Sequence, residues 1–167
     1  MIGPLLKVLK ALNSDARPWQ LSLGACIGAV IGLTPVSSPH NLLLLFLALV
    51  VNVNFGLTIL SFVFFSGIAY LLDPLFHQIG LGILQSEGLH GFWTAFFDNT
   101  LFLLAGLNNS IVMGSLVVSV ILSIPLFFVM NLLTTQYRDT VKVYFEKFPI
   151  FKSLKIIKMF EMLTGSR

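Results

Sequence analysis

The stretch from Leu21 to Asn41 reads LSLGACIGAVIGLTPVSSPHN, and its two halves pull against each other. Gly24, Gly28 and Gly32 recur every four residues, so on a helix they make one stripe without side chains, along which another backbone can approach closely. The apolar run then meets Thr34-Pro35-Val36-Ser37-Ser38-Pro39-His40-Asn41, where paired prolines and serines deny a continuous helix its backbone hydrogen bonds. As helices, residues 18 to 33 would extend about 24 Å and residues 42 to 51 about 15 Å, against a bilayer hydrocarbon core of about 30 Å. Neither piece crosses comfortably. Two arrangements follow: a re-entrant hairpin with its polar tip at membrane depth, or two tilted crossings sharing a short outer loop. Irregular backbone at depth requires protein or a water-filled cavity around it, so only the first implies a cavity.

A bilayer is the right frame because of composition. Of 167 residues, 56% are hydrophobic and only 10% charged, with a mean hydropathy of +0.93. Soluble chains carry roughly a quarter charged residues, so this one cannot clothe a water-facing surface and is expected to be an integral membrane protein. Lys7, Lys10 and Arg17 precede the apolar region, Arg138 and the residues after it supply the rest, and no Lys or Arg lies between Pro18 and Tyr137. Basic residues beside membrane segments stay cytoplasmic, which predicts both termini inside and an even number of crossings. The net charge of +3 sits on two short flanks that suit anionic lipid, and nucleic acid is not an expected partner. The lone Cys26, among glycines, excludes an intrachain disulfide and reads as a small packing residue.

Working outward, residues 1–17 place Leu5, Leu9 and Leu12 opposite Lys7 and Lys10 and read as an interfacial amphipathic helix. Residues 18–133 form the membrane domain. Pro18 suits a first helical turn and Trp19 the cytoplasmic headgroup level. After the polar break Asn52-Val53-Asn54, a helix is predicted from Phe55 to Leu72, stopping at Asp73-Pro74. An outer interfacial helix over Leu75 to Leu84 follows, then a loop holding Gly88 and Gly91. Phe92 to Leu107, interrupted by Asp98-Asn99-Thr100, reads as a second partial insertion. Asn108-Asn109-Ser110 then caps Ile111 to Leu133, the surest crossing, kinked at Pro125. Residues 134–167 form a basic cytoplasmic amphipathic tail, with Lys142, Lys147, Lys152, Lys155 and Lys158 available to a membrane surface or a protein partner. The expected fold class is all-α: a small polytopic membrane helix bundle with broken or re-entrant segments and interfacial helices at both ends.

The polar residues in the apolar region are the candidates for a cavity: Thr34, Pro35, Ser37, Ser38, His40, Asn41, Asn52, Asn54, Asp73, Asp98 and Asn99. Taken singly, each has a plainer reading. His40 is expected in a solvated loop, Asp73 at the wet outer interface, and Asp98 as a helix cap. His40, His77 and His90 lack ligand spacing for zinc, and neither a phosphate loop nor a nucleophile signature is present. No catalytic, metal or cofactor site is expected, and the chain is not expected to be an enzyme. The leading expectation is a membrane-embedded partner or scaffold subunit of a larger membrane or periplasmic complex. The alternative is a transporter or translocase component whose cavity, built from the broken segments, takes a lipid-like or small polar substrate. Membrane lipids are partners in either case. The glycine stripe predicts that Gly28→Leu is harmful and that Ala29→Leu, off the stripe, is mild.

From Leu21 to Gly80 the chain resembles the bacterial membrane proteins grouped as the domain-of-unknown-function 2062 family. The likeness is carried by Gly24-Ala25-Cys26-Ile27-Gly28-Ala29-Val30-Ile31-Gly32-Leu33-Thr34-Pro35, the Leu-rich run up to Asn52-Val53-Asn54, and Asp73-Pro74 before Gly80. Asp73 stands where that family usually has Asn, and Ser37-Ser38-Pro39-His40 where it often has a Gly-containing turn. The resemblance implies a multi-pass protein of the bacterial inner membrane and carries no activity with it.

Overall fold

A computed structural model describes residues 16–147, and of residues 101 and 141–147 the backbone alone. Most of the N-terminal segment and the side chains of Lys142, Lys147, Lys152, Lys155 and Lys158 lie outside the described residues. Among those described, the chain is helical without strands: α1 Pro18–Leu33, α2 Pro39–Val50, α3 Phe55–Leu84, a 3-10 turn Glu87–Leu89, α4 His90–Asp98, α5 Thr100–Leu104 and α6 Ser110–Lys147.

Local chemistry sets the starts. Pro18 occupies the first turn of α1, and the Arg17 backbone N–H donates to Gln20 Oε1 at 2.8 Å. Asn54 caps α3 by accepting from the Leu57 N–H at 2.9 Å, and Asn109 caps α6 by accepting from the Ile111 and Val112 N–H groups.

α1 is the core of the bundle. From Leu21 to Leu33 every residue except Leu23 is buried, with α3 and α6 packed against it. A helix apolar all round belongs inside, and here the short helix is enclosed while the long ones face outward. Ala29 is 1% exposed, so the expectation that Ala29→Leu is mild is corrected: there is no empty side of α1 to receive a leucine. The glycine stripe lies along α3, which runs parallel to α1. A Cβ added at Gly28 would strike the Thr58 carbonyl, and one at Gly32 would lie 2.7 Å from the Phe62 carbonyl oxygen. Ser61 Oγ donates across this contact to the Ala25 carbonyl at 2.6 Å. Ser61→Ala is expected to cost about 1 kcal/mol, the scale of interhelical hydrogen bonds in membranes. Thermal unfolding in detergent measures it, and an unchanged midpoint would mean the bond adds nothing net.

α6 runs antiparallel to both. Its start meets the far end of α3 at Gly80, Ser123 lies at Cys26, and Met130 packs against Leu21, Ala25 and Leu57. Two boundaries differ from the sequence expectation. α3 does not stop at Asp73-Pro74 but passes through Pro74 to Leu84, so Leu75–Leu84 is not a separate interfacial helix. Proline sacrifices one backbone hydrogen bond, whereas continuing the helix brings fully buried Phe76 and Gly80 against Gly114 and Ser110. α6 likewise passes through Pro125 and Leu133 to Lys147, with Thr134 fully buried rather than opening a separate tail.

α3 and residues 110–140 of α6 are long and apolar enough to cross a membrane; α1 and α2 are shorter apolar helices.

Candidate functional site

The turn between α1 and α2 is built to satisfy itself. Thr34 Oγ1 lies 2.8 Å from the Val30 carbonyl and 3.0 Å from Asn41 Oδ1, sharing its one proton between them. Asn41 Nδ2 donates to the Pro35 carbonyl at 2.9 Å, which also accepts the Ser38 N–H at 2.9 Å. Thr34, Ser38 and Asn41 are buried, while Val36 and Ser37 are exposed at the tip.

The other end of the hairpin closes at Gln20. Asn52 adopts φ +55, a left-handed turn that asparagine tolerates better than most residues. Its carbonyl accepts from Gln20 Nε2 at 3.0 Å, and the Asn54 N–H donates to the Gln20 carbonyl at 3.4 Å. α2 therefore descends beside α1 and returns the chain to the end it left. Near this base, Ala48 is fully buried with Ile27, Ile31 and Val53.

Between these two attachments α2 stands off. A cleft of about 400 Å³ separates it from α1 and α6, walled by Ile27, Val30, Leu44, Leu47, Leu116 and Val120. His40 lines this cleft. The expectation of a solvated loop histidine is corrected: His40 sits in the first turn of α2, and both its ring nitrogens are shielded from solvent without a hydrogen-bond partner. Cys26 also borders the cleft, its thiol donating to the Ser123 carbonyl at 3.2 Å.

The remaining candidates do not join this site. Asp73 is half-buried on α3, well beyond the hairpin tip, which Gly32 places beside Ser66. Asp98 and Asn99 are exposed, and the Asn99 carbonyl starts α5 by accepting from Phe102 and Leu103. Their helix α4 is tied by Trp93 Nε1 to the Ile83 carbonyl at 3.0 Å. From Ser66 to Ile83 the helix rises about 25 Å, so the two broken segments do not form one polar cavity. The eleven candidates thus divide among the hairpin tip, the hairpin base and the far end of α3.

Sequence reading missed the second packing stripe. Ser110 and Gly114, and in the next register Ser115, Ser119 and Ser123, are small residues at four-residue spacing on α6, the same signal as the glycine stripe. Ser115 and Ser119 are buried and return their hydroxyls to carbonyls of their own helix. It also missed the 2.6 Å contact between His77 Nδ1 and Ser110 Oγ, and the aromatic stack of Phe92, Trp93, Phe96, Phe97 and Phe102. Among the described residues no group of three His, Cys, Asp or Glu gathers to hold a metal.

The fold and site define an all-helical protein with two helices of membrane-crossing length and a hairpin of shorter ones clasped against them. The chain belongs to the DUF2062 family, described as an uncharacterized protein conserved in bacteria, which it matches over residues 5–141. A relative from Treponema pallidum (strain Nichols), itself called an uncharacterized protein, is 26% identical over 138 residues, covering 83% of this chain and 85% of its own. No solved structure matches the chain.

Proposed function

We propose that the chain is an integral membrane protein in which α3 and α6 cross the bilayer and the α1–α2 hairpin is re-entrant, and that the hairpin handles a lipid-like molecule, as a transporter or translocase component would. The observation that carries the membrane placement is the height of the tip, and the aliphatic cleft beside His40 is what suits a lipid-like molecule. Gly32 packs beside Ser66, and α3 then rises about 10 Å more to Asp73, the first charged residue along it. Thr34 to Asn41 therefore fall inside the hydrocarbon, where the bonds of the Thr34, Ser38 and Asn41 N–H groups to the Val30, Pro35 and Ser38 carbonyls tie part of the turn's backbone to protein. Arg17 at the start of α1 and Arg138 near the end of α6 lie at the base end of the hairpin, which orients that end to the cytoplasm.

A nitroxide attached at Val36, read by power saturation in nanodiscs, tests this. It is expected to sit markedly deeper than one attached at His77; buried Cys26 is spared by the label. Equal depths would make α1 and α2 two ordinary crossings. The partner-subunit reading rests instead on Lys152, Lys155 and Lys158, outside the described residues. Replacing all three with Glu is expected to leave the helical core's thermal midpoint unchanged; loss of a co-purifying protein would favour docking.

A further inference from the structure

We propose that the cleft between α1, α2 and α6 is a binding site for a single-chain fatty acid, its hydrocarbon lying along the cleft and its carboxyl group hydrogen-bonded to His40. This rests on the membrane placement above and names the ligand of the same hairpin.

Three observations converge. The cleft walls are aliphatic along their length, and a space of about 400 Å³ falls at the small end of ligand sites, enough for one chain rather than two. Its sides are open: Leu43, Leu47 and Val120, which line it, are 70%, 45% and 49% exposed, so a chain can enter laterally from the bilayer. Its one unsatisfied polar group is the imidazole of His40, whose Nδ1 and Nε2 are both shielded from solvent and unpaired. The nearby polar side chains are already engaged, Asn41 with Thr34 and Pro35, and Cys26 and Ser123 with backbone carbonyls.

An imidazole has a donor and an acceptor face whenever neutral, and leaving such groups unpaired away from water is costly. A purely hydrocarbon ligand would leave that cost in place. A carboxyl group removes it, accepting from one ring N–H or donating its own proton to the other nitrogen. Being able to shed its charge by protonation, it also tolerates a site within hydrocarbon better than a phosphodiester, which is why a free fatty acid fits and a phospholipid headgroup does not.

The test uses the full chain in nanodiscs and a palmitic acid analogue bearing a diazirine and an alkyne. On irradiation, label is expected on peptides containing Leu43 to Leu47 and Leu116 to Val120, displaced by excess palmitate but not by added phosphatidylcholine. His40→Leu is expected to reduce labelling about tenfold, the equivalent of one lost hydrogen bond to a charged or buried group. His40→Gln, which keeps a donor and an acceptor, retains most of it, and Val120→Phe excludes the chain. Because His40→Leu also removes an unpaired buried imidazole, it is expected to melt no lower than the unaltered protein, which separates lost binding from lost folding. Undiminished labelling of His40→Leu, label spread over the outer faces of α3 and α6, or equal displacement by phosphatidylcholine would each overturn the site. Were Val36 to read at the outer surface while labelling followed His40, the re-entrant placement would fall and the ligand site would stand.

Discussion

Gly80→Ala and Gly114→Ala are each expected to lower the thermal midpoint and the recovery of folded protein sharply, whereas Gly67→Ala and Gly82→Ala on the same bundle melt no lower than the original. A Cβ at Gly80 would fall on the Ser110 carbonyl, with Ser110 C at 2.7 Å and Cα at 2.9 Å. One at Gly114 would fall on the Phe76 carbonyl, with Phe76 C at 2.7 Å and Gly80 N at 2.9 Å. All of these are backbone atoms, which cannot rotate away, so the helices themselves must separate. That forfeits contacts on both sides of the seam, including those of fully buried Phe76. Overpacking a well-packed contact costs about 1–3 kcal/mol and sometimes more, a large share of the 5–15 kcal/mol by which folded proteins are typically stable.

Gly67 and Gly82 have nothing within 4 Å of an added Cβ, and there alanine gains up to about 1 kcal/mol of helix propensity. Along α1 the effects should grade. Gly28→Ala meets the Thr58 carbonyl and is the most severe, Gly32→Ala follows, and Gly24→Ala, whose nearest neighbours stand at 3.0 Å, is the mildest. Thermal midpoints and gel-filtration profiles in detergent rank them. Tolerance at Gly80 and Gly114 equal to that at Gly67 would show that α3 and α6 do not meet along this seam.

What the sequence made legible follows from how far each signal reaches. Gly24, Gly28 and Gly32 declare a close contact because helical period is local, and the Thr34–Asn41 break is visible because proline acts on its own turn. Hydropathy, however, is blind to the identity of the apolar neighbour. α1 and α3 read alike, yet α1 is enclosed by protein while Ile59, Val63 and Phe64 of α3 stay 59–63% exposed. Pro74 reads as a stop because its local cost is visible in sequence and the compensating contact, from Phe76 and Gly80 to a segment some thirty residues later, is not. The same long range hid His40. Its neighbours in sequence are turn residues, and only the descent of α2 beside α1 turns it toward Leu116 and Val120. Asp98 and Thr34 looked alike as polar interruptions, but the added length of α3 carries them to different levels.

At the hairpin tip, a pair of substitutions is expected to separate packing from depth. Asn41→Leu removes the donor to the Pro35 carbonyl and the acceptor beside Thr34 Oγ1 in a site where Asn41 is 3% exposed. Loss of these two buried bonds is expected to cost about 1–3 kcal/mol, each such bond contributing about 0.5–1.5 kcal/mol net. That penalty arises wherever the tip lies, since it depends on protein burial. Val36→Asp depends on what lies outside. Val36 is 65% exposed, so an aspartate there touches little protein. On an aqueous loop it would change stability by less than about 0.5 kcal/mol, the usual range for surface sites. Inside hydrocarbon the same charge costs about 2.5–3.5 kcal/mol on insertion scales, and a hairpin tethered at Gln20 and Asn54 has no freedom to lift its tip to the far interface. The re-entrant hairpin therefore predicts that both substitutions are severe, measured as yield of folded protein and thermal midpoint in nanodiscs. A severe Asn41→Leu with a neutral Val36→Asp would leave the Thr34–Asn41–Pro35 network intact as the lock of the hairpin while placing its tip in water.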